Sequence, residues 1–374
     1  MDMRARLDAV IDKAIADQRI VGTTVMIASK GETVYARAAG YADREAGKPV
    51  ALDTIYRLAS VTKPIVASTA LVLVDKGQLD LDDAAAEYLP YFRPKTGDGK
   101  EPRITIKHLL THTSGLGYNP TPPGSFSDDV RVSTGLLNTD LGFEENFTRL
   151  AAVPLDYEPG TKWAYSMAID VLGAIIAEVS GCSLEEAVLE YVAGPLGMVD
   201  TRFHVTDPER LSIPYADASP APEAMKDPHV VENGAEKLYF SPGRIFNPKA
   251  FQSGGAGMAG TAPDILAFLN AIASDGIPIL SADITAKAMR NQIGSLERRP
   301  QDAGRSFGFF GAVLDDPVLA NSPCSAGTVS WGGVYGHSWF IDPQNDIVAV
   351  FMSNTAIEGC TGAYPADLTR AVYG

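Results

Sequence analysis

Toward both ends of the chain apolar residues alternate with polar ones or run unbroken over short spans, whereas through the middle they recur every three or four positions. Near the N-terminus, TTVMIAS and TVYARAAGYA are rich in β-forming residues, and the Lys30-Gly31-Glu32 between them predicts a hairpin. Near the C-terminus, GTVSW, YGHSWFID and IVAVFMSN predict a second set of strands, the last two joined by the turn Pro343-Gln344-Asn345-Asp346. Residues 1–20 mix charge with apolar positions at helical spacing and predict an amphipathic helix, and residues 365–373 predict another. Strands from both ends with helices beside them predict one antiparallel sheet assembled from the two termini, with the terminal helices packed on a face.

Helical spacing in the middle appears at 65–74, 106–110, 168–179 and 265–272. The expected class is therefore α+β. A discontinuous sheet domain is expected over 1–62 and 246–374, interrupted by a mainly helical domain over 63–245. Two stretches read as long loops, 117–142 and 206–248, the second punctuated by Pro208, Pro214, Pro220, Pro222, Pro228, Pro242 and Pro248. Loops of this length serve as lids, pocket walls or surface decoration. No internal repeat or low-complexity tract interrupts the pattern.

Composition narrows the partners. With 374 residues, 45% of them hydrophobic, the chain can bury a large core. A net charge of -15, spread along the chain, favours a soluble monomer or small oligomer and repels phosphate backbones, which argues against nucleic acid. The longest apolar stretch, 65–74, is roughly half of what a membrane helix needs, so no membrane partner is expected. The opening residues contain no apolar signal segment, and the expected compartment is the cytoplasm. Cys182, Cys324 and Cys360, odd in number and without paired spacing, fit reduced thiols better than a disulfide frame or a zinc site.

Three stretches carry candidate chemistry. Ser60-Val61-Thr62-Lys63 follows the strand-like TIYRLA and opens the apolar helix of 65–74. Residues three apart share a helix face, so the Lys63 amine can reach the Ser60 hydroxyl and activate it. The Ser-x-x-Lys pattern occurs once in the chain, and Pro64 fits only a first helical turn. Backbone donors at such a junction suit an oxyanion. The second stretch, Tyr165-Ser166-Met167, leads into the helix beginning near residue 169, where a tyrosine can shuttle a proton or simply pack. The third is Trp331-Gly332-Gly333-Val334 on a C-terminal strand. Paired glycines inside a strand mark either a bulge or a close approach to the backbone, as by a substrate.

In order and spacing, Ser60-x-x-Lys63, Tyr165-Ser166-x and Trp331-Gly332-Gly333 resemble the three motifs of the family VIII carboxylesterases, relatives of class C β-lactamases and DD-peptidases. Residues 109–116 (LTHTSGL with its preceding leucine), Pro195-Leu196-Gly197-Met198 and Gly254-Gly255-Ala256-Gly257-Met258 are similar to that family as well. The resemblance implies a β-lactamase/DD-peptidase-like fold with the site in a cleft between sheet and helices. It implies Ser60 as the acylated nucleophile, Lys63 and Tyr165 sharing the base and acid roles, and the backbone N–H groups of Ser60 and Val334 as oxyanion hole. It implies no metal and no cofactor.

Two departures bear on the substrate. Lactamases and peptidases typically carry a lysine at the head of the third motif, where Trp331 stands here, and class C lactamases carry an asparagine where Met167 stands. A small neutral ester fits such a site better than a penicillin. Trp331, Gly332, Gly333 and Met167 are expected to bind substrate, with His337 bordering the pocket. A β-lactamase, a DD-peptidase and an acyltransferase remain alternatives within the superfamily, and an inactive binding scaffold outside enzyme chemistry. A zinc hydrolase built on His108 and His112 is disfavoured because Leu109 replaces the basic glutamate, so that His112 is expected to help end a helix before Gly115. A Ser-His-Asp hydrolase is disfavoured because no G-x-S-x-G elbow occurs.

Overall fold

The structure, a computed structural model, describes residues 2–118, 132–233 and 236–374. An eight-stranded antiparallel sheet runs in the order Arg305–Phe307, Ala312–Leu314, Val329–Gly333, His337–Asp342, Ile347–Ser353, Gly22–Ser29, Glu32–Asp43, Lys48–Pro49. The two ends of the chain meet where Gly22–Ser29 pairs with Ile347–Ser353, in a register that sets Val25 opposite Phe351 and Ile27 opposite Ala349. The Lys30-Gly31 turn has both residues at positive φ, 52° and 79°, the handedness that a tight two-residue hairpin needs. Asp342 pairs with Ile347 across the Pro343–Asp346 turn.

Both sheet faces are covered, which is why Gly22–Ser29 is buried almost along its whole length instead of on alternate residues. On one face Val25, Ile27, Phe340 and Phe351 pack with Leu7 and Ile11 of the helix Met3–Ala16 and with Tyr364, Leu368 and Val372 of Ala363–Tyr373. On the other, Met26, Ala28, Trp339, Val348 and Val350 join Ile265, Leu266 and Leu269 of the helix Ala262–Ala273. That second cluster continues without a break into the helical middle of the chain through Ile65, Leu71, Leu109, Val171 and Leu172.

The helix Thr62–Asp75 lies at the centre of that middle, buried on all sides from Thr62 to Leu73. Its interior hydroxyls are satisfied locally, since Ser68 donates to Pro64 O and Thr69 to Ile65 O. Ala168–Ser180 packs across it and ends at Gly181, in the left-handed conformation (φ 67°) that glycine adopts without strain. A two-stranded ribbon, Ile55–Arg57 with Ala259–Thr261, leads the chain into Ser60.

The stretch 206–248 differs from its expected loop character. It holds the small ribbons Tyr215–Ala216 with Glu223–Ala224 and His229–Asn233 with Glu236–Phe240, then a short 3-10 turn Pro242–Phe246. Val231, Leu238 and Phe240 pack with Ala59 and Tyr335, so the second ribbon forms a wall beside the Ser60 turn. Of the expected loop 117–142, residues 119–131 lie outside the described residues. Among the described residues no helix is long and apolar enough to cross a membrane.

Candidate active site

Ser60 sits in a 3-10 turn, Ala59–Val61, immediately before the helix Thr62–Asp75. Ala59 adopts φ 45°, a left-handed conformation that costs a non-glycine residue about 1–2 kcal/mol and persists only where its surroundings enforce it. The surroundings do so. Leu58 N–H donates to Met258 O at 2.8 Å on one side, and Gly333 closes against Leu58 O on the other, where an added Cβ would lie 2.2 Å from that oxygen. His337 Nε2–H donates to Arg57 O at 2.7 Å.

The three motif residues converge. Ser60 Oγ and Tyr165 Oη are 2.6 Å apart, and Lys63 Nζ donates to Ser60 Oγ at 3.1 Å and to Gly255 O at 2.7 Å. Lys63 Nζ also lies 4.7 Å above the Tyr165 ring and 5.8 Å from that of Tyr118. The Tyr165 ring stacks on Tyr118 (centroids 5.2 Å, planes 15° apart) and leans on Trp331 at 5.3 Å. Burial pushes the Tyr118 phenol well above its ordinary range, with the neighbouring Tyr165 and Asp170 adding to the shift, so Tyr118 stands as a neutral ring.

Behind Tyr165 lies His112. Ala164 N–H and Tyr157 Oη donate to its carbonyl at 3.1 and 3.2 Å, and Ser166 N–H donates to Nδ1 at 3.3 Å. Its ring lies 4.9 Å from the Tyr165 ring. Burial holds the imidazole well below its ordinary pKa, and the positive charges of Lys63 and Arg298 push the same way. The neutral ring accepting at Nδ1 is the form this site requires. His112 itself has φ 56° just after the helix Ile106–Leu110, so it ends that helix as its sequence context suggests.

A family profile described as Beta-lactamase matches residues 7–372. The chain belongs to the beta-lactamase family. It is 46% identical to the esterase EstB of Burkholderia gladioli, over 99% of this chain and 95% of that protein. Its fold superposes on the solved structure of EstCE1, described as a hydrolase with promiscuous acyltransferase activity, with a TM-score of 0.93 and 40% identity, covering 99% of this chain and 98% of that one. The unliganded simvastatin synthase of Aspergillus terreus shares the fold at a TM-score of 0.78 and 21% identity, covering 100% of this chain and 98% of that one.

Within this beta-lactamase-family frame, several expected binding residues stand elsewhere. Met167 is fully buried in the main core and offers no surface to a substrate; its backbone N–H, 3.3 Å from Gly117 O, is what joins it to the neighbourhood of the site. His337 is likewise buried, edge-on to Tyr56 at 5.6 Å, and braces the sheet against the segment before Ser60 instead of bordering a pocket. Burial lowers its pKa to about 4. Gly332 and Gly333 stay in regular register, opposite Ser338 and His337, so no bulge is present. Their missing side chains admit the protein's own backbone, Leu58 O at Gly333 and His337 O at Gly332.

Trp331 does face the triad, half-buried between Tyr165 and Phe307. A cation stands behind it, which the sequence reading missed: the Arg298 guanidinium packs 4.4 Å over Trp163 and 6.0 Å from the centre of Trp331. Its side chain is only 2% exposed, pairs with Asp302 at 3.4 Å and donates to Ser306 O at 3.3 Å, so it is already engaged. Asp170 was missed too, although a single charge in the otherwise apolar run 168–177 is a sequence sign of a buried ion. An open cleft of about 340 Å³, lined among others by Glu87, Arg93, Glu101 and Arg103, includes none of the triad. His108 makes a capping-box contact with Thr105, and among the described residues no cluster of three or more His, Cys, Asp or Glu could hold a metal ion.

Proposed function

We propose that the chain is a serine carboxylesterase of the family VIII kind, hydrolysing short-chain esters through an acyl-enzyme on Ser60. The observation that carries this reading is the 2.6 Å approach of Tyr165 Oη to Ser60 Oγ with Lys63 Nζ on the same oxygen at 3.1 Å. Ser60 Oγ attacks the ester carbonyl carbon while its proton passes to the Tyr165 phenolate oxygen, which the Lys63 ammonium beside that ring stabilises until it takes up the proton. The backbone N–H groups of Ser60 and Val334 hold the developing oxyanion. Tyr165 returns the proton to the leaving alkoxide, and a water molecule repeats the sequence to release the acid. Every group used belongs to the protein, so the mechanism employs no metal and no cofactor.

The similarity to EstB and EstCE1 supports the choice of an ester over an amide. EstCE1 also gives a second reading some weight, because an alcohol that replaces water at the acyl-enzyme turns hydrolysis into acyl transfer. A β-lactam is disfavoured. Trp331 stands where a carboxylate-binding lysine would be, and Arg298 is buried and paired, so a substrate carboxylate would be desolvated without a partner. The three free cysteines suit a reducing compartment, the cytoplasm.

An aryl phosphonate ester should label Ser60 once per chain, with no label on Ser60→Ala. An aryl butyrate should be hydrolysed with a kcat/KM at least ~10³ above that for a chromogenic cephalosporin, as roughly 4 kcal/mol of unpaired carboxylate desolvation predicts. A label on another serine, or comparable efficiency on the two substrates, overturns the reading.

A further inference from the structure

The segment 251–258 threads between three buried charged side chains. Arg244 donates to Gly257 O at 3.0 Å and to Phe251 O. Lys63 donates to Gly255 O at 2.7 Å. From the opposite side Asp170 Oδ1 accepts from Gly255 N–H at 3.2 Å and from the Ser253 hydroxyl, which in turn accepts from Ala256 N–H at 3.0 Å. Gly255 therefore has an ammonium at its carbonyl oxygen and a carboxylate at its N–H, one on each of the two peptide groups it joins. Gly254 and Gly255 have to be glycines here, since a Cβ would lie 2.5 Å from Ile169 O at the first and 2.3 Å from Asp170 Oδ2 at the second. That accounts for a glycine-rich stretch which the triad alone leaves unexplained.

Asp170 is fully buried, and its Oδ2 has no hydrogen-bond partner among the described residues. Fixing the backbone of 253–256 requires one accepting oxygen, which an asparagine supplies equally well, yet the chain retains a desolvated charge. We propose that Asp170 is a positioning residue for catalysis: through the backbone of Gly255 it fixes the Lys63 ammonium beside Ser60, and its carboxylate is the buried counter-charge that keeps Lys63 cationic and leaves Tyr165 as the base. The charged and titratable groups around it are Lys63 from the helix Thr62–Asp75, Arg244 from the turn Pro242–Phe246 and the Tyr118 phenol; those around Lys63 are Tyr165, Tyr118 and His112. Burial raises the Asp170 pKa, and the positive charge of Lys63 opposes that rise more than any other neighbour does.

The inference rests on the Ser60–Lys63–Tyr165 reading and is separable from it. Asp170→Asn retains Oδ1 as acceptor for Ser253 and Gly255 and places its amide where Oδ2 has no partner, so charge is lost while anchoring remains. With an aryl butyrate it is expected to lower kcat on the order of tenfold at nearly constant KM, and to move both limbs of the kcat/KM pH profile acidward by about one unit. The direction follows from electrostatics: removing a nearby anion favours the less protonated states of the Lys63–Tyr165 pair. Asp170→Ala, which also releases Gly255, should lose more kcat. An unmoved profile in folded Asp170→Asn, with or without a loss of kcat, overturns the proposal. If Asp170→Asn does not fold, Gly255→Ala, whose Cβ displaces the carboxylate, must give the same acidward movement, and an unmoved profile there overturns it equally. Phosphonate labelling of Ser60 in the unmodified protein tests the underlying reading independently: a missing label sinks both, whereas a normal label with an unmoved variant profile sinks only the role of Asp170.

Discussion

The phenol of Tyr165 is confined by stacking on Tyr118, by Trp331 and by the His112 ring, while His112 also grips the backbone of 164 and 166. Its oxygen thus meets Ser60 Oγ without having to be recruited by a substrate. Tyr165→Phe leaves that packing nearly intact and removes the hydroxyl proposed to carry the proton, so kcat is expected to fall about 100-fold or more, and Lys63→Ala should cost a similar factor. Because the proposed mechanism has both act on one proton, the double variant should be far less impaired than the product of the single losses, which a mutant cycle on kcat measures. Near-normal activity of Tyr165→Phe would remove the tyrosine from the chemistry. At this scale the sequence was legible where spacing fixes geometry, as for Ser60 and Lys63 one helical turn apart. It was illegible where rotation of a residue at a helix start decides: Met167 follows Tyr165 by two positions but turns into the core. Tyr118 and Asp170, and the contact of His112 with Tyr165, were missed because these contacts cross between segments far apart in the chain.

At the scale of elements, the strand Val329–Gly333 and the turn Ala59–Val61 are pressed together, and Gly333 permits it. Gly333→Ala would place Cβ 2.2 Å from Leu58 O, a backbone atom that cannot rotate away. The variant is expected to lose about 2 kcal/mol or more of stability and to lower kcat as well, since the strained Ala59–Ser60 peptide shifts with Leu58. Gly97→Ala, whose Cβ meets nothing within 4 Å, is the control and should melt close to the parent. Equal melting temperatures and rates for the two variants would show that the close approach at Gly333 carries no weight. The longer strands were readable because they are long enough to display their pattern. Arg305–Phe307 and Ala312–Leu314 span three residues each, too few to show a period of two, and the ribbons in 206–248 were hidden by the prolines around them.

Across the whole molecule, the two buried imidazoles make stability depend on pH before most carboxylates titrate. His337 has a pKa of about 4 in the folded chain because it is wholly buried, against an ordinary value of about 6.5, and His112 is shifted in the same direction. A folded value below the unfolded one means that the unfolded chain takes up the proton first. Stability is therefore complete above about pH 6.5 and falls as the pH drops toward about 4, by about 3 kcal/mol for His337 alone. Asp8, Asp200 and Asp342, whose pKa values are lowered, lose their contribution only further down, below the ordinary carboxylate range. Buried Asp170 and Asp264 are raised and act with the opposite sign, favouring the folded chain as the pH falls. Comparison with a variant isolates the histidine share from these. His337→Gln keeps an N–H for Arg57 O but cannot titrate, so its unfolding free energy in urea should change less between about pH 6.5 and about pH 5 than that of the parent, even if it is lower throughout. Parallel curves for parent and variant across that window would mean that His337 is not held neutral in the folded chain, and that the contact between the sheet and the segment leading to Ser60 tolerates a charged ring.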